Sequence, residues 1–195
     1  MNAPDIFQSL EPVIQAFDEL GIDYQIGGSI ASSAYGVARA TLDTDLVANL
    51  KEQHIQPLVA RLSDAYYIDE DRVRDAVARQ SSFNLIHLDS MLKVDVFVLK
   101  SRPYDQIAFS RTRLEHLSEN ESDRLHHLAS PEDVILNKLD WYRQGGCVSE
   151  RQWKDVLGVL KIQQSSLDYE YMRRWADTLN LSELLNHALK DADIR

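Results

Sequence analysis

Tyr24-Gln25-Ile26-Gly27-Gly28-Ser29-Ile30-Ala31, followed by Gly36-Val37-Ala38-Arg39-Ala40-Thr41-Leu42-Asp43-Thr44-Asp45-Leu46, is the stretch that decides the fold. Tyr24 to Ile26 forms a short strand that runs into two glycines, which let the backbone approach a ligand closely. The small residues from Ser29 to Tyr35 suit a helix packed tightly on a sheet and ending at Gly36. The start of such a helix offers unpaired N–H groups and a positive dipole end, which suits phosphate. The alternative is a purely structural turn. Asp43 to Leu50 reads as a second strand. Residues two apart on a strand face the same side, so Asp43 and Asp45 are presented together. Paired carboxylates repel unless a cation lies between them, and Mg2+ binds through one or two carboxylates plus substrate phosphates. The alternative is a cap or turn carboxylate at the strand entrance.

A third carboxylate, Asp95, stands in Lys93-Val94-Asp95-Val96-Phe97-Val98-Leu99. This apolar run is expected to be a central strand buried on both faces. A buried unpaired carboxylate is costly, so either a basic side chain such as Arg39 or a metal must compensate. A glycine–serine turn, a carboxylate pair and a third carboxylate on a later strand together match the apparatus of two-metal phosphoryl transfer.

Outward from this centre, apolar residues at Leu10, Val13, Ile14, Phe17 and Leu20 predict a helix over 5–20 with Gly21 just past its end. Helices are also expected over 51–65 and 70–78. Ser82–Leu88 and Met91–Lys100 read as a hairpin about Asp89-Ser90. Residues 101–129 are mixed, with a helix after Pro103 and then short strands or loops. Ser130-Pro131-Glu132-Asp133 combines an N-cap, a proline at the first helical position and an early acid. Ser149 opens the next helix after a Gly145-Gly146-Cys147 loop, and two more helices lie near 168–179 and 182–191. The expected class is α/β (α+β): a mixed sheet flanked by helices over 1–125, then a helical bundle over 126–195. The midpoint of Lys138 and Asp155 falls in the glycine loop, so an antiparallel helix hairpin sets them level. The alternative for this pair is a surface ion pair worth under about 1 kcal/mol.

The Gly27-Gly28-Ser29 … Asp43-Thr44-Asp45 pattern resembles the signature of the DNA-polymerase-β-like nucleotidyltransferase superfamily. The Arg39-x-Thr41-x-Asp43-x-Asp45 form is similar to the abortive-infection nucleotidyltransferases, the AbiEii-like group and related toxins. The resemblance extends over about residues 20–165, with Asp95 matching a third Asp on a following strand, and Lys138 and Asp155 matching a Lys and an Asp on successive C-terminal helices. It implies a Mg2+-dependent enzyme that moves a nucleoside monophosphate from a nucleoside triphosphate to an acceptor hydroxyl and releases pyrophosphate. It further implies that Asp43, Asp45 and Asp95 hold two Mg2+ ions, and that Gly27, Gly28, Ser29, Arg39 and Thr41 bind the nucleotide. Lys138 would hold a triphosphate oxygen, and Asp155 would orient Lys138 or accept the proton of the attacking hydroxyl. The acceptor is a tRNA end, a protein or a small molecule, as in aminoglycoside nucleotidyltransferases, and a toxin would have an antitoxin partner. The alternative from another class is a non-catalytic nucleotide-binding module on the same fold.

Composition narrows these options. The 195 residues carry 21 Lys and Arg against 31 Asp and Glu, a formal charge of −10, which argues against a protein that coats nucleic acid by bulk charge. Asp5, Glu11, Asp18, Glu19 and Asp23 lie in a leading segment without Lys or Arg. The densest basic cluster, Arg72, Arg74 and Arg79, is diluted by Asp69, Glu70, Asp71 and Asp75. A single cysteine, Cys147, forbids an intrachain disulfide and fits a reducing, cytoplasmic setting. The acidic N-terminus lacks the basic region of a secretory signal, and no apolar run reaches the roughly 20 residues of a membrane helix. His116 and the His126-His127 pair lack a zinc-type spacing and read as a solvated strand or loop. Trp141, Trp153 and Trp175 read as helix core.

Overall fold

The computed structural model describes residues 6–39, 43–117 and 125–194. In chain order its elements are α1 (Ile6–Glu19), β1 (Tyr24–Ile26), α2 (Gly28–Tyr35), β2 (Asp43–Ala48), α3 (Ile55–Leu62), β3 (Tyr66–Tyr67), α4 (Glu70–Arg79), β4 (Ser82–His87) and β5 (Lys93–Val98). They continue with α5 (Pro103–Ser110), β6 (Arg113–Glu115), β7 (His126–Leu128), α6 (Pro131–Gln144), α7 (Glu150–Gln163), α8 (Tyr169–Thr178) and α9 (Ser182–Asp191). The fold is mixed α/β, as the alternation of apolar patterns predicts.

The chain divides into two compact units, one of Met1–Gly27 with Ala40–Ser110, the other of Gly28–Arg39 with Arg111–Arg195. In the first, the strand order is β3-β4-β5-β2-β1. β2 and β5 run parallel with Asp43 opposite Lys93 and Asp45 opposite Asp95, while β1 and β4 flank them antiparallel. A parallel pair needs a crossover, here supplied by everything from α3 to β4. Leu46, Ala48, Val94 and Val96 turn to one buried face, against which α1 packs. Gly21, at φ +64°, ends α1 while Ile22 N–H returns to the Phe17 carbonyl at 2.8 Å, the left-handed stop that glycine permits. β5 departs from the expectation of burial on both faces. Its odd-numbered residues Lys93, Asp95 and Phe97 are only half-buried, as are Asp43, Asp45 and Val47 on β2. The apolar run masks a one-sided strand because Phe97 tolerates that half-exposed face.

The second unit contains α2, the β6–β7 hairpin and α6 to α9. Ser130 caps α6, accepting from Asp133 N–H at 3.3 Å and donating to the Asp133 carboxylate at 2.6 Å. α6 and α7 form the expected helix hairpin, and α2 packs on both. Gly36 makes that approach possible. A Cβ there would lie 2.8 Å from the Ser32 carbonyl oxygen and 2.9 Å from Val159 N. This division differs from a single cut between residues 125 and 126, because the close approach at Gly36 joins α2 to the C-terminal helices.

Candidate active site

The first unit carries a row of acids on the half-exposed face of β2 and β5. Alternation along β2 puts Asp43 and Asp45 on it, and the parallel register sets Asp95 beside Asp45. Like charges opposite one another on a sheet are destabilising, and Lys93 offsets this. Lys93 Nζ lies 2.7 Å from Asp95 Oδ2, and Asn84, opposite Asp95 on β4, donates to Oδ1 at 2.7 Å. The hydrogen bond to Asp95 raises the Lys93 pKa, and the charges of Asp95, Asp43 and Asp45 add to that against the effect of partial burial. The basic side chain that compensates Asp95 is thus Lys93 rather than Arg39. Sequence reasoning missed Lys93, although its place two residues before Asp95 on the same strand was a usable signal. Gly27 N–H donates to the Asp45 carbonyl at 2.9 Å, tying the glycine turn to β2.

The second unit carries the opposite charge balance. Gly28 has φ +52°, the left-handed conformation that glycine adopts without strain, and it starts α2. Ser29 is buried, and its hydroxyl accepts from Arg39 Nη2 at 2.6 Å. Arg39 also grips Asp155 with both arms, Nε to Oδ1 at 3.0 Å and Nη2 to Oδ2 at 2.9 Å. Lys138, from α6, donates to Asp155 Oδ2 at 2.8 Å. The side chains of Lys138 and Asp155 are only 11% and 7% exposed, so this is no surface ion pair. Burial works against ionisation of Asp155, but the hydrogen bonds and charges of Arg39 and Lys138 outweigh it and hold the carboxyl below its ordinary range. Such a carboxylate is a poor proton acceptor and a good anchor for two cations. Thr41 lies outside the described residues.

The donor chemistry of the strand face suits a hard cation. Carboxylate oxygens are the ligands Mg2+ takes, and the Lys93 ammonium already stands there as an internal positive charge. Among the described residues no three carboxylate, imidazole or thiol side chains converge as a ready metal cluster. Both oxygens of Asp95 are instead turned to Lys93 and Asn84. The Arg39–Lys138 pair around one carboxylate, beside the start of α2, suits an anion by charge and donor count.

Residues expected to be incidental fall as follows. His126 is buried on β7, whereas His116 and His127 are exposed. Trp175 is buried, whereas Trp141 is half-exposed, because it lies on the outer side of α6. Trp153 donates its indole N–H to Asp191 at 3.2 Å. Arg72, Arg74 and Arg79 are engaged by Asp69, by Glu70 and Glu52, and by Asp75. No helix among the described residues is long and apolar enough to cross a membrane.

No protein-family model matches the chain, and no curated protein matches its sequence. Solved structures do. The antibiotic-resistance factor ANT(2'')-Ia matches with a TM-score of 0.58 at 16% identity, covering 96% of this chain and 98% of that one. An antigenic nucleotidyltransferase-like protein from Paracoccidioides brasiliensis matches at 0.56 with 19% identity, covering 96% and 94%. The lincosamide antibiotic adenylyltransferase LnuA, bound to lincomycin, matches at 0.53 with 16% identity, covering 80% and 96%. The chain therefore has the nucleotidyltransferase fold.

Proposed function

We propose that this protein is a Mg2+-dependent nucleotidyltransferase that transfers a nucleoside monophosphate from a nucleoside triphosphate to a hydroxyl of a small molecule. The observation that carries this reading is the register of β2 and β5, which sets Asp45 beside Asp95 with Asp43 on the same face. Bound to these carboxylates, Mg2+ would supply charge neutralisation for the attacking and leaving oxygens. The acceptor oxygen forms a bond to the α-phosphorus while the bond from that phosphorus to the bridging oxygen breaks, and pyrophosphate leaves with the electron pair. The acceptor proton leaves to solvent water. In this reading Ser29 and the Gly28–Ser29 amides hold the outer phosphates, and Arg39 and Lys138 offset charge. Asp155 keeps those two cations in place instead of acting as base, consistent with its lowered pKa.

A small-molecule acceptor is favoured by the acidic chain, by the paired state of its densest arginine cluster, and by the antibiotic-modifying neighbours of the same fold. The second reading is a toxin of the abortive-infection group that modifies RNA ends and has an antitoxin partner. The buried Lys138–Asp155 contact favours that group's helical motif. A cytoplasmic setting accompanies either reading. The test supplies each labelled nucleoside triphosphate with Mg2+ and measures pyrophosphate release against aminoglycosides, lincosamides and total tRNA. Transfer to a small molecule supports the first reading and transfer to tRNA the second. No Asp45-dependent transfer to any acceptor would overturn both.

A further inference from the structure

The acid row on β2 and β5 is not left to itself. Asp95 has both carboxylate oxygens occupied by its own sheet, Oδ2 by the Lys93 ammonium and Oδ1 by the Asn84 amide, each at 2.7 Å. Lys93 is also the register partner of Asp43, so it rises from the same face among all three acids. An ammonium carries donors and no lone pair. It can bind carboxylates as a cation does, and its positive charge repels a metal ion brought to the oxygen it already holds. We propose that Lys93 is the resident counter-ion of this face, holding the three carboxylates together until a divalent cation displaces its ammonium, and so setting the affinity for that cation without ligating it. The inference rests on the nucleotidyltransferase reading for the identity of the cation.

The geometry gives Lys93 two opposing effects. It relieves the repulsion between Asp45 and Asp95 in the metal-free protein, and it competes for the same oxygens when a cation arrives. Its side chain is 42% exposed, so it has an open path away from Asp95. Asn84 is neutral and keeps its hold on the other oxygen, preserving the carboxylate's orientation throughout.

The test titrates Mn2+ and Mg2+ into nucleotide-free protein, following heat and the cation dependence of the melting temperature, for the wild type, Lys93→Met, Lys93→Arg and Asp45→Asn. Lys93→Met should bind the cation about tenfold more tightly or better, since a neighbouring positive charge is gone. Its metal-free form should melt lower and recover on adding cation. Lys93→Arg should stay close to the wild type. If methionine prevents folding, Lys93→Gln carries the same expectation. Unchanged or weaker cation affinity on removing the ammonium, with binding still lost in Asp45→Asn, overturns the counter-ion role and leaves the cation site standing. Cation binding that Asp45→Asn does not reduce overturns the inference and the nucleotidyltransferase reading together.

Discussion

The acid row of the first unit and the Asp155 cluster of the second use the same residue types in opposite proportion. On the strands, Asp43, Asp45 and Asp95 lie around Lys93; among the helices, Asp155 holds both Arg39 and Lys138. Secondary structure accounts for the difference. A strand repeats every second residue, so acids spread into a half-exposed row that can exchange its counter-ion with solvent. Helices meet through long side chains that converge on one point, and the point here is buried. The row has an excess of negative charge that suits a cation, whereas the point has an excess of positive charge that suits a phosphate.

The largest effect expected from breaking this contrast is at Asp45. Asp45→Asn should lower transfer by about 10³-fold or more, roughly 4 kcal/mol. The metal-free protein should keep or raise its melting temperature, since one of several repelling carboxylates is neutralised. A clear loss of stability would mean that Asp45 belongs to a structural ion pair.

Asp155 should behave in the opposite way. Asp155→Ala leaves two cations without their shared acid and should cost about 3 kcal/mol of stability, as for other broken buried pairs. Urea unfolding measures this directly. The carboxyl is held below its ordinary range, so its contribution is present above the unfolded value near pH 4 and is lost as the pH falls through the lowered folded value. Asp155→Asn should therefore show a shallower loss of stability below about pH 4 than the wild type. An identical acid limb would remove Asp155 as the anchor.

Lys138→Ala tests function more than folding. It should lower kcat/KM by about 10²-fold, roughly 2.7 kcal/mol. Its burial means that stability also falls, but only by about 1–2 kcal/mol, because Asp155 keeps both arms of Arg39. Loss of stability without loss of kcat/KM would reduce the cluster to scaffolding. The smallest effect on the acid row is expected from a change at Gly36. Gly36→Ala forces a methyl group against the Ser32 and Val159 backbone and should destabilise by about 1–3 kcal/mol, the usual range for overpacking. Cation affinity at the acid row should stay unchanged, and a shift there would mean that the two regions are energetically coupled.

How much of this was legible in the sequence depended on how local each signal was. The shared face of Asp43 and Asp45 follows from strand period, and the start of α6 follows from Ser130 and Pro131. The contact of Lys138 with Asp155 follows from the symmetry of the helix hairpin about its loop. The pairing of Asp45 with Asp95 depends on a parallel register between distant strands, which no local pattern states. The half-exposed face of β5 was hidden because Phe97 reads as core, and Lys93 was overlooked with it. β3 was missed because two residues, Tyr66 and Tyr67, give no period. The attachment of α2 to the C-terminal helices is tertiary, set by Gly36 against Val159.

That attachment has a consequence for synthesis of the chain. Arg39 and its partner Asp155 are 116 positions apart. At the usual 5–20 residues per second of translation, α2 emerges about ten seconds before the helix it packs on. During that interval it must avoid wrong partners without Asp155 or the α7 backbone to hold it. Its composition helps, because Gly28-Ser29-Ile30-Ala31-Ser32-Ser33-Ala34-Tyr35 has few large apolar side chains to attract misassembly. A fragment beginning at residue 111 would contain α6 to α9 but lack this early-made piece. Supplying α2 as a separate peptide would then turn a step of one chain's folding into a bimolecular association.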